Sequence, residues 1–402
     1  MKRTIQNLTM AAALLLGAAA MSSCAGFVDA LLGHEDTPAE TPTKPTTSDA
    51  NDGGSHEGSD MSLPPGAGFN IVDLSTLTED YTFKDGDVLT GTLDGTKTVI
   101  KLSVAPDAKV ILSGAQILGE DQGIWVNKWA GLTCLGNATI ILDGENTVRS
   151  FDRSFPCIQA GPDGSNLIIT GDGKLTTEGT SSAGIGSAED ITCGDIEIQG
   201  GDFSLKDSRA GIGCWAGGSC GDITITGGTI STQGVGVGIG CSGDRSSCGN
   251  ITISDGTITA QGGEVGIGIS GDAISCGDII ITGGTITAQG DMDPGIGCYG
   301  DESSCGDISI SWSENFVSLT AIKGHRVQNP IGLTNYSNCG DITFDGTIIN
   351  KRIDNYVEVD NGGIYGDLKF TISTTLPEDV DETDEEAVKP YKDNTWTLTP
   401  MR

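Results

Sequence analysis

The sequence predicts an all-β protein whose main body is a single-stranded parallel β-helix, a solenoid of about nine coils behind an N-terminal cap. Three observations predict this fold: a repeat with a mean period of 29 residues, three strand-like segments in each period, and glycine turns between those segments. Each coil of a solenoid buries its inward side chains by stacking on the next coil. Right-handed crossovers are the strong default between parallel strands, so we expect a right-handed β-helix.

The first segment of each period alternates apolar and polar residues, as in the run from Ile223 to Thr226. Such alternation places the apolar side chains on one face of a strand. Nine residues anchor these segments: Val110, Ile140, Leu167, Ile196, Ile223, Ile251, Ile279, Ile308 and Ile342. From the fourth anchor onward, a Cys-Gly-Asp or Cys-Gly-Asn tripeptide ends directly before the segment. Its cysteines are Cys193, Cys220, Cys248, Cys276, Cys305 and Cys339.

The other two segments of a period are a Thr-Ile-Thr-like run, such as Thr257 to Thr259, and a Gly-Ile-Gly run, such as that centred on Ile239. An antiparallel sandwich would also alternate apolar and polar residues. It would require hairpin turns rather than isoleucines in phase at three fixed offsets, so the pattern favours the β-helix.

Composition and charge exclude several classes of protein. Of the 402 residues, 22 are Lys or Arg and 55 are Asp or Glu, which gives a formal net charge of −33 and makes a nucleic acid partner improbable. The apolar share of 37% is too high for general disorder. The 61 glycines follow no period of three, which excludes a collagen-like chain.

The N-terminus predicts secretion and lipidation. Lys2 and Arg3 precede an apolar run from Met10 to Met21, and Cys24 follows two serines, which is the layout of a bacterial signal peptide over residues 1–23. The cysteine directly after small residues resembles the lipobox of bacterial lipoproteins, in which the cysteine is acylated. We therefore expect Cys24 to be lipidated. An ordinary signal peptide cleaved nearby is the alternative.

The rest of the chain divides by composition. We expect residues 24–65, which are rich in Thr, Pro, Ser, Gly and acidic residues, to be a disordered tether, and residues 66–105 to form cap strands out of register with the repeat. The repeats follow over residues 106–350. Residues 351–402 hold further strands and an acidic loop around Glu378 to Glu386.

Eleven cysteines remain besides Cys24, so at least one is unpaired in a monomer. We favour a column of small buried thiols at a corner of the coil. The alternative is disulfides within loops, for which the candidate pairs are Cys214 with Cys220, Cys241 with Cys248 and Cys298 with Cys305. Zinc has little support because the sequence has no C-x-x-C motif.

The tripeptides also stack acidic residues, because the residue before each first segment is Asp, or Asn in one coil. The carboxylates are Asp195, Asp222, Asp278, Asp307 and Asp341. Stacked carboxylates repel one another unless they face water or hold a cation, so calcium between neighbouring coils is one interpretation. Hydrogen bonds from turn amides to these side chains are the other.

The Gly-Ile-Gly and Cys-Gly-Asp segments, with the runs from Ala108 to Ala115 and from Ile158 to Pro162, resemble the β-helical carbohydrate-binding surface lipoproteins of gut anaerobic bacteria. The resemblance covers roughly residues 70–350. It implies polysaccharide binding and, in some relatives, calcium. It transfers no binding residue by position.

We therefore expect a non-catalytic, monomeric polysaccharide-binding protein in the cell envelope, attached through its lipid alone to the outer membrane and facing the exterior. Its flat faces carry outward threonines, and the aromatic candidates for sugar contact are Trp215, Tyr299 and Trp312. An adhesive or structural surface protein with a protein partner is the main alternative. A lyase or hydrolase is less favoured, because the carboxylates recur with the repeat instead of forming one acid pair.

Overall fold

A ladder of parallel strands along one side of the molecule carries the nine anchors of the repeat. The computed structural model describes residues 69–121, 128–179, 181–333, 337–353, 356–359, 362–377, 380, 382–384 and 388–401. The chain divides into two units, Met1–Pro65 and Gly66–Arg402. The first unit lies outside the described residues, and with it the predicted signal peptide, Cys24 and tether; part of the acidic loop does so as well.

The first face of the solenoid is a sheet of twelve strands, of which all but the last run parallel. The predicted anchors lie on nine successive strands, β6 to β31, which bound eight full turns and confirm the parallel β-helix. The strands are β1 (Asn70–Asp73), β3 (Asp87–Thr90), β6 (Ala108–Ser113), β9 (Ala138–Asp143), β12 (Asn166–Gly171), β15 (Asp195–Ile198), β18 (Ile223–Ile225), β21 (Ile251–Ile253), β25 (Ile279–Ile281), β28 (Ile308–Ile310), β31 (Ile342–Phe344) and β32 (Thr347–Ile348).

The second face contains the Thr-Ile-Thr segments, and the third face contains the Gly-Ile-Gly segments. Strands of the second face are β4 (Thr92–Asp94), β7 (Gln116–Leu118), β10 (Glu145–Arg149), β13 (Lys174–Thr177), β22 (Thr257–Gly262), β26 (Gly284–Gly290) and β29 (Phe316–Ile322). Strands of the third face are β2 (Tyr81–Phe83), β5 (Leu102–Val104), β8 (Leu132–Cys134), β11 (Ile158–Gln159), β14 (Ala183–Gly186), β23 (Val265–Ser270), β27 (Ile296–Tyr299) and β30 (Ile331–Leu333). Two long strands, β16 (Asp202–Trp215) and β19 (Thr229–Ser242), contribute to both faces.

A short third sheet marks the corner between the third face and the next first face. Its strands are β17 (Ser219–Cys220), β20 (Ser247–Cys248) and β24 (Ser275–Cys276). They pair in parallel and in register, so Cys220, Cys248 and Cys276 stack on one another. This stacking places the cysteine of each tripeptide at an equivalent corner position.

Alternation explains which side chains form the core. In β21 the residues Ile251 and Ile253 are fully buried while Thr252 is partly exposed, and the same pattern recurs in β18 and β25. Equivalent residues are in register, so that Ile251 pairs with Ile223 and Ile279. The core is therefore a stack of aliphatic side chains that each coil shares with its two neighbours.

The predicted cap region forms strands that continue these ladders. Strand β3 pairs in parallel with β6, aligning Leu89 with Leu112, and β5 pairs in parallel with β8. The coils are shorter here than in the repeat, which explains why the sequence shows them out of register. A 3₁₀ helix, η1 (Leu74–Thr76), contributes the buried Leu74 to the same core.

The C-terminal end is antiparallel. Strand β37 (Thr395–Pro400) pairs antiparallel with β29, and β36 (Leu368–Ser373) and β35 (Gly363–Tyr365) extend this sheet. The hairpin of β33 (Asn350–Ile353) and β34 (Tyr356–Val359) precedes it, and a second 3₁₀ helix, η2 (Lys389–Tyr391), precedes β37. Aromatic rings of Phe344, Phe370 and Trp396 pack edge to face where this sheet meets the last coil.

Candidate functional site

The acidic ladder of the tripeptides has a hydrogen-bonding role in the structure. Oδ1 of Asp195, Asp222 and Asp307 accepts from the main-chain N–H of the equivalent residue in the next coil, at 2.7–2.8 Å. Asn250 and Asp278 do the same at 2.8 Å, so the ladder continues to the amide of Asp341. Unlike an Asx-turn, the bond joins two coils. Calcium between these carboxylates remains a prediction.

The glycine of the tripeptide is required by the same contact. A Cβ atom on Gly249 would collide with Oδ1 of Asp222, and a Cβ on Gly306 would collide with Oδ1 of Asp278. The Cys-Gly-Asp motif is therefore accounted for by structure: a buried thiol, a residue without a side chain, and an acceptor for the next coil.

The cysteines partly follow the favoured interpretation. All six tripeptide cysteines are free and buried, as expected for a thiol column. The disulfide joins Cys214 to Cys241, which are register partners on β16 and β19 with Cα atoms 4.7 Å apart. The bridge thus connects two stacked coils on the third face, and the loop pairings that the spacing suggested for Cys214 and Cys241 are not formed.

Two of the three aromatic candidates lie in one column of the third face. Trp215 aligns with Ser242, Ser270 and Tyr299 in successive coils. The Arg209 guanidinium lies 4.7 Å from the centre of the Trp215 ring, and the ring lies against the backbone of Gly243. Trp312 is elsewhere, after β28, and packs against the core. All three residues are partly exposed. Trp215 and Trp312 cover protein surface, and the Arg326 guanidinium lies 6.0 Å from the centre of the Tyr299 ring.

The repeat departs from its pattern in the loops between the second and third faces. These loops stack, because the N–H of Asp293 donates to the carbonyl of Glu264 at 3.2 Å and the N–H of Gly324 donates to that of Asp293 at 2.9 Å. They carry the charged residues Asp291, Asp293, Lys323 and Arg326, whereas the equivalent places in earlier coils carry Arg209 and Glu264. One side of these loops faces a pocket.

The pocket has a volume of about 460 Å³ and lies between the last loops and the C-terminal strands. Its polar lining residues are Gln289, Asp291, Lys323, Thr375, Tyr391 and Asn394. Concave sites with one aromatic side chain and several convergent polar groups are typical of small-molecule and sugar binding. We take this pocket as the candidate binding site.

Most polar groups of the pocket are held in place. Oδ1 of Asp291 accepts from the side-chain amides of Gln261 at 3.2 Å and Gln289 at 3.0 Å. The Asn394 side chain exchanges two hydrogen bonds of 2.7 Å with the main chain of Thr375. These bonds orient the carboxylate and fix one wall of the pocket before any ligand binds.

Lys323 is the cation of the pocket and is only 8% exposed. Its Nζ donates to the carbonyl of Val327 at 2.9 Å. Burial lowers the pKa of the Lys323 ammonium from its usual value, because a desolvated charge is costly. A ligand that offers a hydrogen-bond acceptor to this ammonium would bind favourably, because the acceptor would replace the water that burial removes.

Asp293 lies on the other side of the same loops and is fully buried. Its Oδ2 is 3.7 Å from the Arg326 guanidinium, and neither of its carboxylate oxygens accepts a hydrogen bond. Burial raises the pKa of Asp293 to about 6, Arg326 opposes this shift, and the nearby Glu264 adds to it. Glu264 itself accepts a hydrogen bond from the Ser270 hydroxyl.

Sequence reasoning did not single out Asp291, Asp293, Lys323 or Tyr391. The spacing of the tripeptides could have indicated that the repeat changes here. The last two tripeptide cysteines are 34 residues apart, whereas earlier neighbours are 27 to 29 apart. The register shows four added residues between β28 and β29 and two in the loop from Lys323 to Pro330. An insertion in a repeat protein commonly maps to a loop on the binding face.

A family model described as Beta helix repeat matches residues 251–271 and 279–301 of this chain. The two matched segments contain the strands of all three faces in two successive coils. No curated protein and no solved structure matched the chain. The family match supports the β-helical architecture and names no ligand.

Proposed function

We propose that this protein is a non-catalytic surface lipoprotein that binds polysaccharide, and that the pocket beside Asp291 and Tyr391 receives sugar residues. The observation that carries the proposal is the pocket itself, which lies where the regular repeat ends and which combines an aromatic ring with an oriented carboxylate. Sugar hydroxyls are donors to a carboxylate, and the faces of sugar rings stack on aromatic side chains.

The solenoid adds an extended surface to this pocket. Outward residues of the second face are hydroxyl-bearing in successive coils, as at Thr229, Thr257 and Thr285, which are in register. Repeated weak contacts along a rigid rod suit a long repeating glycan, because contacts made by one bound chain act at high effective concentration. A pocket that anchors one part of the chain would set the register of the rest.

The absence of catalysis is part of the proposal. A glycoside hydrolase requires two carboxylates that flank the scissile bond. The described residues that line the pocket include one carboxylate, Asp291. A hydrolase is the second candidate, favoured by the raised pKa of Asp293, which is the property of a general acid. Against it, both oxygens of Asp293 are buried, out of reach of a substrate.

The binding test uses the mature chain, residues 24–402, carrying Cys24→Ser so that it is produced without lipid. A glycan array identifies the polysaccharide, and affinity is then measured for Asp291→Asn and Tyr391→Ala. We expect each variant to weaken binding at least tenfold, or about 1.4 kcal/mol. The control Glu189→Gln removes an exposed carboxylate from the turn after β14, outside both the pocket and the second face, and should bind as the wild type does.

A reducing-sugar release assay on the same polysaccharides separates the candidate functions. Binding without release supports the proposal. Release that is lost in Asp293→Asn would establish the hydrolase instead. If neither binding nor release occurs on any glycan, the adhesive alternative with a protein partner replaces it.

Display on the cell surface is tested separately. Labelled fatty acid should enter the wild-type protein in the bacterial host and should not enter Cys24→Ser, because the acylated cysteine becomes the mature N-terminus. Equal labelling of the two chains would contradict lipidation at this residue.

A further inference from the structure

Cysteines of two different columns meet in the middle of the solenoid. One column is formed by the tripeptide cysteines, including Cys220 and Cys248. The other lies on the third face, where Cys214 and Cys241 are register partners. In the next coil Ile269 occupies the third-face position, so the third-face column has no cysteine there.

Three of these sulfur atoms form a compact cluster. The Sγ atoms of Cys214, Cys220 and Cys241 all lie within 4.8 Å of one another, and all three residues are buried. Sγ of Cys220 is 3.7 Å from Sγ of Cys241. The Cys214–Cys241 disulfide occupies two of the three sulfurs in the oxidised chain. Reduction of that bond by a dithiol, which itself becomes a cyclic disulfide, leaves three thiols facing one another.

The surroundings of the cluster disfavour net charge. Although a hydrogen bond with Cys248 lowers the pKa of the Cys220 thiol, burial and the neighbouring thiols raise it above its usual value. Three thiolates around a monovalent or divalent ion would leave uncompensated negative charge in an aliphatic core, which is costly. Three thiolates around a trivalent centre give a neutral product.

We propose that the reduced Cys214–Cys220–Cys241 cluster binds one trivalent arsenic centre, delivered as arsenous acid. Each thiol gives its proton to one hydroxyl of the arsenous acid. Three As–O bonds break, three As–S bonds form and three water molecules leave, while arsenic remains in the +3 state. The product carries no net charge and is held by soft sulfur ligands, which such a centre prefers over oxygen. This inference is independent of the polysaccharide proposal.

Entry to the cluster is through the corner of the coil. Cys220 is 6% exposed and Cys248 is 8% exposed, whereas Cys214 and Cys241 have no exposed surface. A small neutral oxyacid can therefore reach Cys220 first and transfer to the two inner sulfurs. A hydrated cation would have to shed its water to take the same route.

The test uses the mature chain, residues 24–402 with Cys24→Ser, reduced by a phosphine, freed of reductant and kept anaerobic. Native mass spectrometry with micromolar sodium arsenite is expected to show one arsenic bound with loss of three water molecules. The fluorescence of Trp215, next to Cys214 in the sequence, should change at the same stoichiometry. The oxidised chain should bind at least a hundredfold more weakly, because two of its three sulfurs are in the disulfide.

Two single variants decide whether this cluster is the site. Cys220→Ser is expected to weaken binding at least a hundredfold, and Cys276→Ser is expected to bind as the wild type does. Cys276 is a matched control because it lies in the same column, while Ile269 occupies the third-face position of its own coil, where Cys220 has Cys214. Cys220→Ala replaces Cys220→Ser if the latter melts below the assay temperature. Failure of the reduced wild type to bind arsenite, or equal binding by the Cys220 variant, would overturn the proposal.

Discussion

Asp222 in the central coils and Asp291 near the C-terminal end are both exposed carboxylates at the edge of a strand, yet they have different surroundings. Asp222 accepts from the main-chain N–H of the next coil, a bond that recurs along the ladder. Asp291 accepts from two glutamine side chains and faces a pocket. The repeated residue serves stacking. The residue that departs from the repeat is available for a ligand.

The comparison extends to buried groups. The described buried side chains of the central coils, from β15 to β25, are uncharged, as at Ile251, Cys248 and Ser270. In the loops near the C-terminal end a carboxylate, Asp293, and an ammonium, that of Lys323, are buried. Burial of charge costs stability and is tolerated mainly where it serves a function. The difference agrees with the proposal that the central coils are the scaffold and that the C-terminal end holds the binding site, although Asp87 and Asp152 are also buried near the N-terminal end.

The strongest test of the scaffold is a charge in the stacked core. Ile253→Asp places a carboxylate between Ile225 and Ile281, its register partners. We expect a loss of at least about 4 kcal/mol in the free energy of unfolding, measured by urea denaturation, since a buried charge has no partner there. Thr252→Asp points outward between uncharged neighbours and should cost less than about 0.5 kcal/mol. Equal losses in the two variants would contradict the register.

The buried carboxylate of the C-terminal end predicts a dependence of stability on pH. The pKa of Asp293 is raised from 3.8 to about 6, so the folded chain binds this proton more tightly than the unfolded chain. The contribution of Asp293 to stability therefore falls as the pH rises from about 4 to about 6, by up to about 3 kcal/mol, and is constant above that range.

This dependence is measured as the difference in unfolding free energy between the wild type and Asp293→Asn at a series of pH values. The variant should gain relative to the wild type as the pH rises from about 4 to about 6, because it has no proton to lose. A difference that does not change with pH would contradict the raised pKa.

The smallest expected effect concerns the acidic ladder and distinguishes hydrogen bonding from calcium. Asp222→Ala should cost about 1 kcal/mol, because it removes the acceptor for the Asn250 amide. Asp222→Asn should change stability by less than about 0.5 kcal/mol, since Asn250 already fills the equivalent place in the next coil. A large loss in Asp222→Asn, together with a melting temperature that chelator lowers and calcium restores, would show that the ladder holds the cation.

The repeat itself was predictable because solenoid stacking is a relation between neighbouring coils. The period of 29 residues and the alternation within each strand place Ile223, Ile251 and Ile279 in register without any knowledge of distant contacts. For the same reason the tripeptide cysteines were expected to stack as buried thiols, and they do. A pattern that repeats carries its structural reason in its own spacing.

Pairing across columns was decided only by the tertiary structure. Sequence spacing within a loop suggested Cys214 with Cys220, whereas the fold places Cys214 opposite Cys241, 27 residues away, with Cys220 against both. The pocket likewise joins the loop residues Asp291 and Lys323 to Tyr391 and Asn394 from the C-terminal region. Strand β37 runs antiparallel to β29 and pairs with it. This pairing joins residues that are 73 to 79 positions apart in the sequence, from Ile322 with Thr395 to Leu319 with Leu398. A period describes only neighbours, so it holds no information about a strand that turns back.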